Sequence, residues 1–313
     1  MKRISFGPVP SRRLGRSLGI NNVSPKKCTY SCVYCQLGRT IDIISQRRPF
    51  YEPKTLVDDV LQRVNEAENS GQKVDYLTFV PDGEPTLDSN LGTEIGMLSE
   101  SGLKVAVITN SSLIWREDVR NDLMEADWIS MKVDSVRETI WRQINRPYSA
   151  FDLDLILNGI SLFRNQFRGT FTTETMLISD LNDSNHEIER NARYLKKVEP
   201  DIAYISIPMR PPAEKWVKVP SQDVLDNAGA IFGRYLDRVE FLNQFEGTEF
   251  FVAEDPVEDI LTISGVHPLR EDTIEEMLKR SGMDWNIIDI LVKNGDLEEV
   301  EYQGYRYYIR KFR

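Results

Sequence analysis

Between residues 18 and 207 the sequence alternates two hydrophobic patterns, and that alternation leaves few folds open. Short runs at 18–23, 74–80, 104–109, 128–133, 170–178 and 202–207 read as strands. Between them, 55–67 carries the i, i+3, i+4, i+7 spacing of an amphipathic helix, with Thr55 as its cap. Further helical segments lie at 91–99, 117–125, 152–163 and 187–198. Strands alternating with helices of this length imply parallel βαβ units and an α/β class. A helix at 222–236 and a strand at 239–242 continue the pattern, and 245–251 reads as an extended connector. After about residue 255 the pattern changes. Helical stretches at 257–263, 270–279 and 285–292 precede a hairpin, 297–302 and 305–311, turned at Gln303-Gly304. Three helices and a hairpin predict a small winged-helix-like domain over 251–313, following a larger domain over 1–250.

All three cysteines fall within one stretch, Cys28-Thr29-Tyr30-Ser31-Cys32-Val33-Tyr34-Cys35. Thiols spaced CxxxCxxC can converge on one inorganic centre. A closed zinc site would need a fourth ligand, and the only histidines, His186 and His267, lie far along the chain. Three thiolates suit a cubane iron-sulfur cluster that leaves its fourth iron open to an exogenous ligand. No run of about 18 apolar residues appears, and Met1-Lys2-Arg3-Ile4-Ser5 does not lead into an apolar signal core. Clustered thiols without such a signal point to a reducing compartment, so a cytoplasmic protein without membrane attachment is expected.

With Tyr34 just before the last Cys, the cysteine stretch resembles the signature of the radical S-adenosylmethionine (radical SAM) superfamily. Pro81-Asp82-Gly83-Glu84-Pro85-Thr86, after the second strand, resembles its GGEP motif, with Asp82 replacing the first Gly. Thr109-Asn110-Ser111 resembles the polar strand end that meets the cofactor. The resemblance implies a partial (β/α)6 TIM-type barrel, a count the six strands match. It implies a [4Fe-4S] cluster on Cys28, Cys32 and Cys35, with S-adenosylmethionine chelated at the open iron. Reductive cleavage would give a 5'-deoxyadenosyl radical that abstracts hydrogen from a substrate. By the same resemblance Gly83 and Glu84 meet the methionine amino group, and Tyr34 and Asn110 help to hold the cofactor. Lys132 and Asp134 match positions that bind its carboxylate or ribose, or else form a structural ion pair, and Ile207 offers an apolar edge for adenine. Glu174, polar in an apolar run, is read as a ribose contact or substrate-positioning group.

Other segments narrow the likeness: Phe6-Gly7-Pro8-Val9-Pro10-Ser11-Arg12-Arg13-Leu14-Gly15, Ile144-Asn145-Arg146-Pro147, Met176-Leu177-Ile178, Asn182-Asp183-Ser184 and Pro208-Met209-Arg210-Pro211-Pro212. Over residues 4–215 they resemble the branch named after wyosine (tRNA imidazoguanosine) synthases. Those synthases carry further cysteines for a second cluster, and this chain has none to spare.

Charge bears on partners. The chain totals −10, yet its first fifty residues hold ten Lys or Arg against Asp42 alone, +9, which leaves −19 for the remainder. This basic arm predicts an anionic substrate near the cluster, or ion pairs with acidic helices. An RNA base and a peptide or protein stay open as substrates, with ferredoxin or flavodoxin as electron donor. Residues 255–313 contain eight bases and thirteen acids, which weighs against sequence-specific DNA binding. A non-catalytic iron-sulfur sensor acting through the winged helix is the alternative; it leaves the GEP, TNS and KxD strand ends unexplained.

Overall fold

The computed structural model describes residues 3–40, 42–253 and 255–311. Strands β1 (Ser5–Ser11) and β2 (Gly15–Ile20) form an antiparallel hairpin. Two short strands, β3 (Lys27–Cys28) and β4 (Asp42–Ile43), pair beside it and close the cysteine loop. Then follow α1 (Pro53–Asn69), β5 (Tyr76–Phe79), α2 (Leu91–Ser99), β6 (Lys104–Thr109), α3 (Glu117–Leu123) and β7 (Trp128–Lys132). After these come α4 (Glu138–Asn145), α5 (Leu153–Gln166), β8 (Thr170–Met176), α6 (Asn185–Val198), β9 (Ile202–Ser206), α7 (Gln222–Gly233) and β10 (Val239–Leu242). The large sheet runs β1-β2-β5-β6-β7-β8-β9-β10 and is parallel except at β1. It curls into a half-barrel, and its apolar residues pack against the helices that cross between its strands. On α1, Leu56, Val57, Val60, Val64 and Ala67 are buried, and each Leu or Val of that face contributes about 1.5–3 kcal/mol of burial.

Six parallel strands, β2 and β5 to β9, correspond to the expected set, and β10 matches the expected strand at 239–242. The structure adds β1, where two prolines hid a strand. Proline is tolerated at a sheet edge or a bulge, and β1 is the edge strand, its register shifting between Phe6 and Val9. The helix cap assigned to Thr55 is corrected: α1 starts at Pro53, Glu52 stands at the cap without a side-chain bond, and Thr55 lies in the first turn. Proline at the first position fits because its missing N–H would have no partner there. Helix α4 was not anticipated; it is only 8 residues long, and no side chain caps its start.

The C-terminal part contains α8 (Pro256–Ser264), β11 (Leu269–Arg270), α9 (Glu271–Ser281), α10 (Asn286–Asn294), β12 (Leu297–Tyr302) and β13 (Tyr305–Arg310), with sheet order β11-β13-β12. Leu269 pairs with Tyr308. The apolar cluster of this part, including Ile260, Ile274, Met277, Ile288 and Tyr308, takes in Phe6 and Val9 of β1 and Phe250 of the connector. A buried ion pair reinforces that junction. Arg63 of α1 places Nη2 2.6 Å from Asp259 Oδ1 and donates from Nε to the Gly7 carbonyl at 2.7 Å. Among the described residues, no helix is long and apolar enough to cross a membrane.

Candidate functional site

A cavity of about 370 Å³ opens where the parallel strands end, the place where barrel folds gather reacting groups. Cys28, Cys32, Tyr34, Cys35, Gly83, Glu84, Asn110, Lys132, Glu174 and Ile207 all line it. Asp134 does not; it stands behind the wall, with its side chain fully buried.

The cysteine loop is held by main-chain bonds to the end of α4. Val33 N–H donates to the Ile144 carbonyl at 2.8 Å, and Ser31 N–H to that of Asn145 at 3.1 Å. Asn110 Nδ2 donates to Thr29 Oγ1 at 2.8 Å and lies 3.5 Å from Cys28 Sγ. Asn145 Nδ2 lies 3.5 Å from Cys32 Sγ. Burial pushes all three thiols up, Cys32 to about 12 with Asp134 adding to the effect. Bare thiols here therefore keep their protons at neutral pH, and a bound metal centre displaces them. Among the described residues, no three His, Cys, Asp or Glu side chains approach closely enough to share a single metal ion. A cubane asks for no such convergence, since each Cys takes its own iron. Three thiols on one cavity wall, two of them near amide N–H groups, fit a cluster better than a lone zinc ion.

At the strand ends, Glu84 is buried and tightly held. Its Oε1 accepts from the Thr86 and Thr109 hydroxyls, both at 2.6 Å, and from Thr86 N–H at 3.1 Å. Its Oε2 accepts from Asn110 N–H at 2.8 Å. Burial raises its pKa, and these bonds oppose the rise. Gly83 is required by close approach: a Cβ there would meet the Lys27 carbonyl oxygen at 2.0 Å. Glu174 takes Lys132 Nζ at 3.0 Å, Arg13 Nη1 at 2.5 Å and the Ser206 hydroxyl at 2.8 Å. Burial works to raise its pKa, but Lys132 and Arg13 prevail and hold it well below the carboxylate range. Lys132 Nζ also lies 4.8 Å from the Tyr34 ring centre. The Tyr34 hydroxyl donates to Asp134 at 2.5 Å, and Asp134 further accepts from Asn145 Nδ2 at 2.6 Å and Met176 N–H at 2.9 Å. Asp134 thus links the cysteine loop to α4 and β8.

Residues 23–206 match the family model described as the radical SAM superfamily. A UPF0026 protein of Methanocaldococcus jannaschii is 47% identical over 312 residues, 99% of this chain and 97% of that one. The chain belongs to the radical SAM superfamily and to the UPF0026 family. A UPF0026 protein of Helicobacter pylori (strain J99) is 32% identical over 225 residues, 71% of each chain. The fold is similar to that of a radical SAM methyltransferase from Sphaerobacter thermophilus, with TM-score 0.55 and 13% identity, covering 72% of this chain and 66% of that one. Radical SAM membership implies S-adenosylmethionine and an iron-sulfur cluster as cofactors.

The radical SAM cavity has further lining groups; the basic arm accounts for Arg12, Arg13 and Lys26, whereas Gln36, Glu246 and His267 were not anticipated as site residues. Arg12, Arg13, Lys26, Gln36, Arg210, Glu246 and His267 line it as well. His267, read only as a distant residue, arrives through the turn after α8, with Nε2 2.7 Å from Glu246 Oε1 and 2.8 Å from Arg210. Burial and then Arg210 pull its pKa down to about 4. Glu246 comes from the connector after β10, and no local pattern marks it. The basic arm largely resolves into ion pairs: Arg3 with Glu66, Arg13 with Glu174, Arg16 with Glu249, Lys27 with Asp42, Arg39 with Glu214, and Arg47 with Asp118 and Asp122.

Proposed function

We propose that the chain is a radical SAM enzyme in which Cys28, Cys32 and Cys35 hold one [4Fe-4S] cluster and the neighbouring strand ends hold S-adenosylmethionine. The observation that carries this reading is a single cavity lined by the three thiols together with Glu84, Asn110 and Lys132. When bound, the cluster and S-adenosylmethionine supply reductive C–S cleavage and a 5'-deoxyadenosyl radical that takes hydrogen from substrate. The chain's own residues bind and orient. Asn110 and Asn145 bring amide N–H groups to two of the sulfurs. Glu84 Oε2 takes a single hydrogen bond and keeps capacity for the cofactor ammonium. Lys132 brings a cation for its carboxylate or ribose, with Glu174 setting the position of that cation. Ile207 gives an apolar contact for adenine.

The element order α8-β11-α9-α10-β12-β13 supports a winged-helix reading and a division near residue 250. Between Asn286 and Asn294, α10 carries only Asp289 and Lys293 as charges, so the regulatory sensor reading predicts a DNA contact that this helix is poorly suited to make. The wyosine-like branch and an RNA substrate rest on the sequence likeness. The consumption of the basic arm in ion pairs removes much of their electrostatic support. A compact or peptide substrate, a cytoplasmic location and a ferredoxin or flavodoxin donor complete the proposal. The test is anaerobic reconstitution with iron and sulfide, dithionite reduction and chromatography for 5'-deoxyadenosine. Product in the wild type and none in Cys32→Ala is the expected result. No product, together with no change in the cluster's electron paramagnetic resonance on adding S-adenosylmethionine, would overturn the reading.

A further inference from the structure

Once the ion pairs of the basic arm are set aside, two of its cations remain on the cavity wall without a carboxylate partner among the described residues: Arg12 and Lys26. Lys26 acts on Cys35. Arg12 is acted on instead by Arg210 and Glu246. It sits in the turn between β1 and β2, and its Nη1 donates to the carbonyl of Leu242, the last residue of β10, at 2.6 Å and to the Gln244 carbonyl at 3.2 Å. It therefore ties together the two edges of the curled sheet, and its side chain stays open to solvent at the cavity mouth.

The charges that act on Arg12 are Arg210, Glu246, Arg13 and Glu174, none of which belongs to the cysteine loop. Protein crowding and then Arg210 pull the Arg12 pKa down to about 10. Arg210 already shares Glu246 with His267 and donates to Gln36 Oε1 at 3.1 Å. With His267 neutral at pH 7, two guanidinium groups face one carboxylate. Arg13 adds nothing to this surplus, because Glu174 takes it. Arg210 also lines a side chamber of about 240 Å³, walled by Phe245, Tyr305 and Tyr307. This chamber leads away from the cysteines toward the C-terminal hairpin.

We infer that Arg12 and Arg210 form the docking point for an anionic group of the substrate, a carboxylate or a phosphate, beside Glu246 and His267 in the cavity that the cysteines also line. Two forked guanidinium donors match the oxygens of either anion, and a bound oxyanion removes the like-charge crowding between them. The inference rests on the reading of this cavity as the place of hydrogen abstraction, but its test does not use that reaction.

The test is titration of the reconstituted anaerobic protein with inorganic phosphate and with acetate at constant ionic strength, followed by melting temperature and calorimetry. Wild type is expected to bind one of the two saturably, and the tighter one identifies the chemistry of the group. Arg12→Gln and Arg210→Gln are each expected to weaken binding at least tenfold, while Lys54→Ala, on the exposed start of α1, binds as wild type. If one of the two arginine variants fails to fold, the other carries the test. No saturable binding of either anion, or binding undiminished in the folded arginine variants, would overturn the inference. So would competition between the anion and S-adenosylmethionine, which would assign the pair to the cofactor carboxylate. Because anion binding is read without turnover, its failure leaves cofactor cleavage standing, and a failure of cleavage leaves anion binding measurable.

Discussion

The cysteine wall draws its three thiols from one short loop, and its polar groups bind mostly to one another: Asn110 to Thr29, Tyr34 to Asp134, and Glu84 to both flanking threonines. A second group of lining residues, Arg12, Arg210, Glu246 and His267, comes from four separate segments, and it leaves one guanidinium without a carboxylate partner among the described residues. A wall whose groups satisfy one another is set to hold a fixed cofactor, since buried polar groups need partners whether or not a ligand is present. A group with unspent charge is suited to a ligand that comes and goes.

The largest expected effect lies on the cysteine wall. Cys32→Ala should reduce 5'-deoxyadenosine formation to background while the circular dichroism spectrum remains that of the wild type. Next comes the junction that carries the second group. Asp259→Ala leaves the buried Arg63 without its 2.6 Å partner and with Glu66 Oε2 at 3.2 Å as remaining counter-charge, at a cost of about 3 kcal/mol in urea unfolding. A loss of anion binding in the folded variant would show that the second group depends on that junction. On the cysteine wall, Gly83→Ala drives a methyl group into the Lys27 carbonyl; about 3 kcal/mol is expected, with loss of cluster content as the second readout.

A smaller effect distinguishes the two groups by pH. The folded state disfavours protonation of His267, whose pKa lies near 4, whereas the unfolded chain takes up that proton below about 6.5. Stability from this group is therefore complete above 6.5 and is lost as pH falls toward 4, by about 2 kcal/mol once pH 5 is reached. Unfolding free energies from urea titration at pH 7.5 and 5 should differ by about 2 kcal/mol less in His267→Gln than in wild type. The smallest effect tests the basic arm outside the cavity. Arg16 meets an exposed Glu249 at 3.7 Å, so Arg16→Ala should change stability by about 0.5 kcal/mol or less. A larger change would mean that the arm contributes more than scattered ion pairs.

Legibility in the sequence follows the range of the forces involved. The strand-helix alternation was readable because each element repeats its own hydrophobic period; five of the six central strands lie where that period placed them, and β2 begins and ends three residues earlier than 18–23. Ten of the eleven expected site residues share one cavity because the ends of parallel strands converge whatever the details of the loops. The eleventh, Asp134, continues the β7 alternation in sequence, but the strand ends at Lys132 and the carboxylate turns to Tyr34 and Asn145. Strand β1 was missed because its prolines argue against a strand in general, and only its position at the edge of the sheet makes them acceptable.

The sequence by itself determined the α/β class, the thiol cluster and the Gly83-Glu84 strand end, since each is written in consecutive residues whose spacing sets their local geometry. Only the tertiary structure decided which cations are spent and which are free. Arg13 and Arg12 are neighbours in sequence, yet one meets Glu174 on β8 and the other reaches two carbonyls at the end of β10. That outcome depends on where distant strands end in space, and no local period encodes it.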